Sequence, residues 1–281
     1  MPPRTTPTAR QLRIGAELRR LREAAGVVSR DAAGSLGTSQ AQISNIEAGK
    51  NGISEARLRR LTRIYACDDT QLVDALAEMA NTQGQGWWEE YRGIVPPAAL
   101  DVAELEHHAS YVCTFQVVHI PGVLQTEEHV RAASIFVEPD LPEKDREARV
   151  TFRIRRQQVL GAGTPYDVII HEAALRMLVG GGKVARTQLE HILQATERDS
   201  VSIRVIPFTV DGFAGAGHAM QYVGGPVPQL DTVQLDSTHG AVFIDAPAQL
   251  HRYRARWERV ASAAAEQDAS LDLIRRITQE L

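Results

Sequence analysis

Cysteine is scarce in this chain: its 281 residues include only Cys67 and Cys113. Two are too few for a disulfide framework or a cysteine-rich zinc site. Long apolar runs are missing as well. No stretch approaches the roughly 18 residues that a membrane helix needs. The opening segment MPPRTTPTAR lacks the apolar core of a secretory signal. A reduced, cytoplasmic setting is the expectation.

The composition is otherwise that of an ordinary globular protein, 43% hydrophobic and 23% charged, able to bury a sizeable core. The length favours two domains. The net charge of −4 hides an asymmetry. Residues 1–66 hold 12 Arg and Lys against 5 Asp and Glu, a balance of +7, while the remainder stands at −11. A basic N-terminal part is the electrostatic footprint of a phosphate-binding module; the acidic remainder would repel DNA and has another task.

Residues 8–83 read as helices throughout. Ile14, Leu18, Leu21 and Ala25 recur at helical spacing, with Arg13, Arg19, Arg20 and Arg22 on other faces. Gly26 ends that helix. A short helix over 29–36 then stops at Gly37, which tolerates the positive φ of a tight turn. Ser39 is placed to cap the next helix. Ile43 and Ile46 face inward on it, so Gln40, Ala41, Ser44 and Asn45 face outward, and Gly49 closes it. A short helix braced by a preceding one, with small and amide side chains at its exposed end, suits a major-groove reader. Gln and Asn present a donor and an acceptor together, matching adenine N6 and N7. In the next helix Leu58, Leu61, Ile64 and Tyr65 point inward, and a fifth helix follows over 69–82.

The stretch VSRDAAGSLGTSQAQISNIEAGK, residues 28–50, resembles the Xre/Cro-like helix-turn-helix family. Leu36-Gly37, Ser39-Gln40, Ile43-Ser44 and Ile46-Glu47-Ala48-Gly49-Lys50 fall where that family places such residues. The resemblance implies a five-helix DNA-binding domain. Gln40, Ala41, Ser44 and Asn45 would then approach base edges, and Ser29, Arg30, Lys50, Asn51 and Arg57 would approach phosphates. Val28 and Ser29 replace the family's usual Thr-Gln at the start of the second helix, so Ser29 is expected to take over its cap.

Residues 84–98 break the helical pattern with glycines, prolines, Trp87, Trp88 and Tyr91. Such aromatics mark a junction rather than a free linker, and they are expected to pack on the second domain. Beyond it, over 99–281, helix and strand signals alternate: helix 99–109, strand 111–119, a turn through Ile120-Pro121-Gly122, helix 125–136, and an Arg-rich helix over 142–160. A strand over Tyr166–Ile170 runs into a short helix, Gly180–Gly182 form a loop, and a helix spans 186–197. VSIRVIPFTV is a strand, 218–245 holds two or three more, and helices end the chain. The fold class is therefore an all-α five-helix N-terminal domain (1–83) followed by a mixed α+β domain.

In this second part the order GWWEEY, LEHHASYV, IPGVLQT, IIHEAALRMLVGG, QLEHIL and VSIRVIPF is similar to a domain of unknown function found behind Xre-type helix-turn-helices in actinomycete regulators. Val123 stands where that family often has Leu. Some members are antitoxin-like, and a small partner protein is often encoded next to them. The resemblance implies a regulatory or partner-binding role and no catalytic mechanism.

An enzyme reading finds little in the residues. His107, His108, His119, His171, His191, His218 and His239 include no HExxH spacing, and GFAGAGH (212–218) lacks a P-loop lysine. No serine sits in a GxSxG elbow. No catalysis, cofactor or metal is expected. Gln125 and Glu172 are polar groups among apolar ones; with Trp87 and Trp88 they are candidates for partner or ligand contact, an internal hydrogen bond being the alternative for the first two. Leu250, Tyr253, Trp257, Val260 and Ala264 form an apolar stripe that either packs on its own domain or makes a dimer seam. A homodimer on an inverted-repeat operator is expected, because such readers bind two half-sites. The expectation is a sequence-specific transcriptional regulator controlled by a protein or small-molecule signal. The alternative is an antitoxin-like protein that binds a small partner and represses its own operon.

Overall fold

The computed structural model describes residues 6–82, 84–214, 217–237 and 240–281. The chain divides into two units. The first runs to Arg92 and takes in Pro226–Leu230; the second comprises Gly93–Gly225 and Asp231–Leu281.

Five helices build the first unit: α1 (Ala9–Ala24), α2 (Ser29–Leu36), α3 (Gln40–Glu47), α4 (Glu55–Ile64) and α5 (Thr70–Asn81). Thr8 opens α1 with a capping box, its hydroxyl accepting from the Gln11 N–H while the Gln11 side chain accepts from the Thr8 N–H. Asp69 caps α5, its carboxylate accepting the Leu72 N–H at 3.0 Å. The core gathers Leu18, Ile43, Leu58, Leu61 and Leu76, all essentially inaccessible. Burial of each such side chain contributes about 1.5–3 kcal/mol. Val227 and Leu230 pack into the same core. Trp87–Tyr91 form a 3-10 turn in which Trp87 lies edge-on to both Trp88 and Tyr91.

α1 crosses α3 closely because residue 15 is glycine: a Cβ there would lie 2.5 Å from the Glu47 carbonyl oxygen. Arg22 clamps the same crossing, donating to both carboxylate oxygens of Glu47 at 2.6 and 3.0 Å. That pairing raises the Arg22 pKa.

The second unit is built on a six-stranded mixed sheet of β1 (Tyr111–Gln116), β2 (Tyr166–His171), β3 (Val201–Ile206), β4 (Met220–Gly224), β5 (Thr232–Ser237) and β6 (Gly240–Ile244). Their order is β3-β2-β1-β4-β5-β6, with β1, β2 and β3 mutually parallel and the remaining pairings antiparallel. Its helices are α6 (Pro97–His107), α7 (Glu127–Val137), α8 (Glu143–Arg156), α9 (Glu172–Arg176), α10 (Gly182–Ala195), α11 (Pro247–Ala263) and α12 (Gln267–Glu280). The arrangement is α+β, as expected.

Alternation along the strands divides the side chains between two faces. Val112, Val168, Ile170, Ile203 and Val205 join Leu189, Ile192, Ile274 and Ile277 of α10 and α12 on one face. On the other, Phe115, Ile169, Met220 and Val233 meet Leu250, Tyr253, Trp257 and Val260 of α11. The apolar stripe of α11 thus packs on its own sheet, the first of the two alternatives its spacing left open.

Several boundaries differ from the sequence expectations. The strand at 201 ends at Ile206 because Pro207 offers no N–H to a ladder. The Arg-rich helix gives way at Gln157 to a 3-10 turn through Gly161. Gly182 belongs to α10, so the glycine loop is shorter; Gly180 and Gly181 take the positive φ values of 75° and 88°. Part of the GFAGAGH loop (Gly215, Ala216) and His239 lie outside the described residues.

Candidate nucleic-acid interface

The turn between α2 and α3 is set by local chemistry. Gly37 ends α2 in the left-handed region, φ 64° and ψ 40°, a conformation glycine adopts without strain. Two residues on, the Ser39 hydroxyl accepts the Gln42 N–H at 3.2 Å and starts α3. Ile43 and Ile46 then bury the inner side of α3.

The expected base-reading residues lie on the opposite side. Gln40, Ala41 and Ser44 are exposed and Asn45 is half-buried. Among the described residues the side chains of Gln40, Ser44 and Asn45 make no hydrogen bond within the protein. Their donors and acceptors are free for a partner. The Lys50 and Asn51 N–H groups both donate to the Asn45 carbonyl, at 2.8 and 3.2 Å, and fix the turn that follows α3.

Phosphate candidates occupy three places on one helical block, since α2 packs against both α3 and α4. Ser29 and Arg30 begin α2, Lys50 and Asn51 follow α3, and Arg57 lies in the first turn of α4. The expectation that Ser29 caps α2 is corrected: it is the first helical residue, and the capping position belongs to Val28, which has no oxygen to offer. The first N–H groups of α2 therefore have no side-chain cap, and those of α4 at Ser54 have none either. Such helix starts attract anions.

Charge counting along the sequence overstates the basic footprint. Arg13 and Arg20 pair with Glu17, Arg19 with Glu23, Arg22 with Glu47, and Arg59 with Glu55 and Asp74. Arg30, Lys50 and Arg57 make no ion pair among the described residues, so the residues expected to meet phosphate keep their charge unneutralised. Arg60, exposed one turn beyond Arg57 and likewise without an ion pair among the described residues, was missed by the sequence reading. Its i, i+3 spacing from Arg57 was the available signal.

The candidates of the second part separate. Glu172 is buried and satisfied, accepting the Phe208 N–H at 2.8 Å and Arg176 Nε at 2.7 Å, contacts that hold its pKa down against the opposing effect of burial. Gln125 is buried and donates to the Ile120 carbonyl at 2.7 Å, but its Oε1 meets no hydrogen-bond donor. Trp88 is buried and Trp87 half-buried. His171 Nδ1 accepts the Ala173 N–H at 3.2 Å and so caps α9. Among the described residues no three His, Cys, Asp or Glu side chains are grouped to hold a metal ion, and no helix is long and apolar enough to cross a membrane.

Neither the curated proteins nor the solved structures contain a match to this chain. Residues 13–76 match the family model described as helix-turn-helix domain, which covers α2 to α4, all but the first turn of α1 and the first part of α5. The chain carries a DNA-binding helix-turn-helix domain and, with residues 99–276 matching the model described as domain of unknown function (DUF5753), belongs to the DUF5753 family.

Proposed function

We propose that this protein is a sequence-specific transcriptional regulator of the Xre type, with a C-terminal domain that receives a protein or small-molecule signal. The observation that carries the reading is the outer side of α3, where uncommitted side chains of Gln40, Ser44 and Asn45 accompany the unpaired cations Arg30, Lys50 and Arg57. The amides read base edges in the major groove, while the cations and the uncapped starts of α2 and α4 hold phosphates. The protein works in the cytoplasm as a homodimer on an inverted repeat, and the reading gives it no catalytic role. Light scattering that finds monomer alone, with and without DNA, removes the dimer.

In-vitro selection from random duplexes tests the main claim. It should recover a short inverted repeat, bound more weakly as salt rises. Replacing Gln40 and Asn45 together by Ala should flatten sequence preference, each amide–adenine pair being worth about 1–3 kcal/mol. Lys50→Ala should weaken all sequences alike and reduce the salt slope by about one. An unchanged selected motif in the double variant overturns the assignment of α3.

A second reading is an antitoxin-like protein that binds a small partner encoded nearby and represses its own operon. Ile135, Phe136 and Val137, exposed in succession at the end of α7, favour it, since a cluster of exposed large apolar residues marks a protein contact. Copurification with a stoichiometric small protein, lost in Phe136→Asp, would select this reading; a bound metabolite would select the sensor.

A further inference from the structure

The connection between β4 and β5 is longer than the pairing of those strands requires. Their ladder closes at Val223 and Thr232, so residues 224–231 form the connection, against the roughly two to five residues of most hairpin loops. Its middle, Pro226–Leu230, belongs to the first unit, while Gly225 and Asp231 on either side belong to the second.

The chemistry of the segment accounts for its placing. Pro226 and Pro228 fix φ and reduce the freedom lost on ordering. The Leu230 N–H donates to the Val227 carbonyl at 2.9 Å, and this 3-10 turn brings the two apolar side chains to one side. Val227 is 8% exposed and Leu230 5% exposed, both in the core that holds Ile14 and Leu18 of α1 and Leu72 and Leu76 of α5. Polar ties secure the residue between them: the Gln229 carbonyl accepts from Arg13 of α1, and Gln229 Nε2 donates to Asp69 Oδ2 at 2.8 Å. The other oxygen of Asp69 caps α5. The segment therefore ties α1, which braces α3, to the start of α5.

Both ends of the segment are held by one carboxylate. Asp231, 2% exposed, accepts the Gly225 N–H at 3.1 Å through Oδ1 and so pins the two ends together. Its Oδ2 accepts from Tyr222 at 2.7 Å, from Arg254 at 2.8 Å and, at 3.4 Å, from Tyr111. These donors come from β4, α11 and β1, so closure of the loop depends on how those elements pack. Gly224 makes room for the arrangement: a Cβ there would lie 2.1 Å from the Tyr111 ring, which stacks on Tyr222.

We propose that Pro226–Leu230 is a strap through which the second unit sets the stability of the helix-turn-helix, docked while the Asp231 carboxylate closes its base and loosened when that closure opens. The closed base pre-organises the segment, so docking of Val227 and Leu230 orders little additional chain. With the base open, ordering the segment costs more entropy, and the first unit loses part of its support. The tie is covalent, through the peptide bonds at 225–226 and 230–231. As control of operator binding the coupling rests on the function proposed above; as a tie between stabilities it does not, and exchange measured without DNA reads that alone.

Hydrogen–deuterium exchange of the full-length protein, resolved by peptide, tests the strap. Val227→Ala with Leu230→Ala should speed exchange in α1 and α5 about tenfold or more, as loss of buried aliphatic side chains does. Asp231→Asn, a change within the second unit, should speed exchange in the same two helices about threefold or more. A short glycine–serine insertion between Gly225 and Pro226 slackens the strap and keeps every residue of the segment and its base. In that chain α1 and α5 should keep most of their protection, and Asp231→Asn should no longer change it. Where Asp231→Asn also frees β2 and β3, Tyr222→Phe takes its place, removing one donor to the carboxylate and keeping the ring. An effect on α1 and α5 that vanishes in the slackened chain supports the strap. No effect on those helices, an equal effect in the slackened chain, or unchanged exchange in the Val227/Leu230 variant overturns it.

Discussion

The two units dispose of their polar groups in opposite ways. In the first, charges near the core are matched in pairs, as Arg22 is to Glu47, and the free groups stand outside on α3 and its flanks. In the second, polar groups are drawn inward: Glu106 is 1% exposed and Asp231 is 2% exposed, each at the centre of a hydrogen-bonded cluster. Glu106 accepts from Arg156, Gln221 and Tyr166; Asp231 accepts from Tyr222, Tyr111, Arg254 and the Gly225 N–H. A surface reader needs uncommitted groups in water, where leaving them free costs little. Buried polar groups cost free energy unless they are paired, and Glu106 and Asp231 each meet that requirement with several donors.

The largest expected effect breaks the second half of this comparison. Glu106→Ala removes a buried carboxylate and leaves the half-buried Arg156 without its partner, and should cost about 3–5 kcal/mol in denaturant unfolding. A change under about 1 kcal/mol would mean that the cluster does not organise the unit.

His129 gives the next effect through pH. Its folded value of about 4 lies below the ordinary 6.5, so the unfolded chain binds the proton more readily. Stability is then full above pH 6.5 and falls as pH drops toward 4, by at most about 3 kcal/mol for this group. His171 and His191, also depressed chiefly by burial, act with the same sign. His129→Leu should flatten the acid limb of a stability–pH curve; an unaltered limb would show that the imidazole is not held neutral.

Two smaller effects sharpen the first half. Gly15→Ala places a methyl against backbone at the α1–α3 crossing and should destabilise the first unit by about 1–3 kcal/mol, read by thermal melting. Operator affinity should fall with it, because α3 loses its brace. Ser39→Ala removes the cap of α3 and should cost about 1 kcal/mol, with DNA binding weakened and the preferred sequence unchanged.

The first unit was largely legible in the sequence because its interface is local. Gly37, Ser39, Ile43 and Ile46 lie within ten residues, and helical periodicity alone assigns Gln40 and Ser44 to the outside. Gly15 was not legible, since its role depends on a carbonyl more than 30 residues away. In the second unit the α+β class could be read, as could most elements. Ser29 was misjudged as a cap because a shift of one residue decides which side chain faces the free N–H groups. The α11 stripe was ambiguous because spacing shows that a face is apolar and not what covers it.

The chain by itself determined the helices, the outward face of α3 and the alternation of strands in the second unit. These follow from periodicity, caps and turn residues acting over a few positions. Tertiary structure decided which cations stay free, because Arg22 finds Glu47 only across a helix crossing while Arg30 and Lys50 find no counterion among the described residues. It also decided where polar groups converge. Glu106, Arg156 and Gln221 lie on α6, α8 and β4, and only the sheet register and helix packing bring their polar groups within hydrogen-bonding distance.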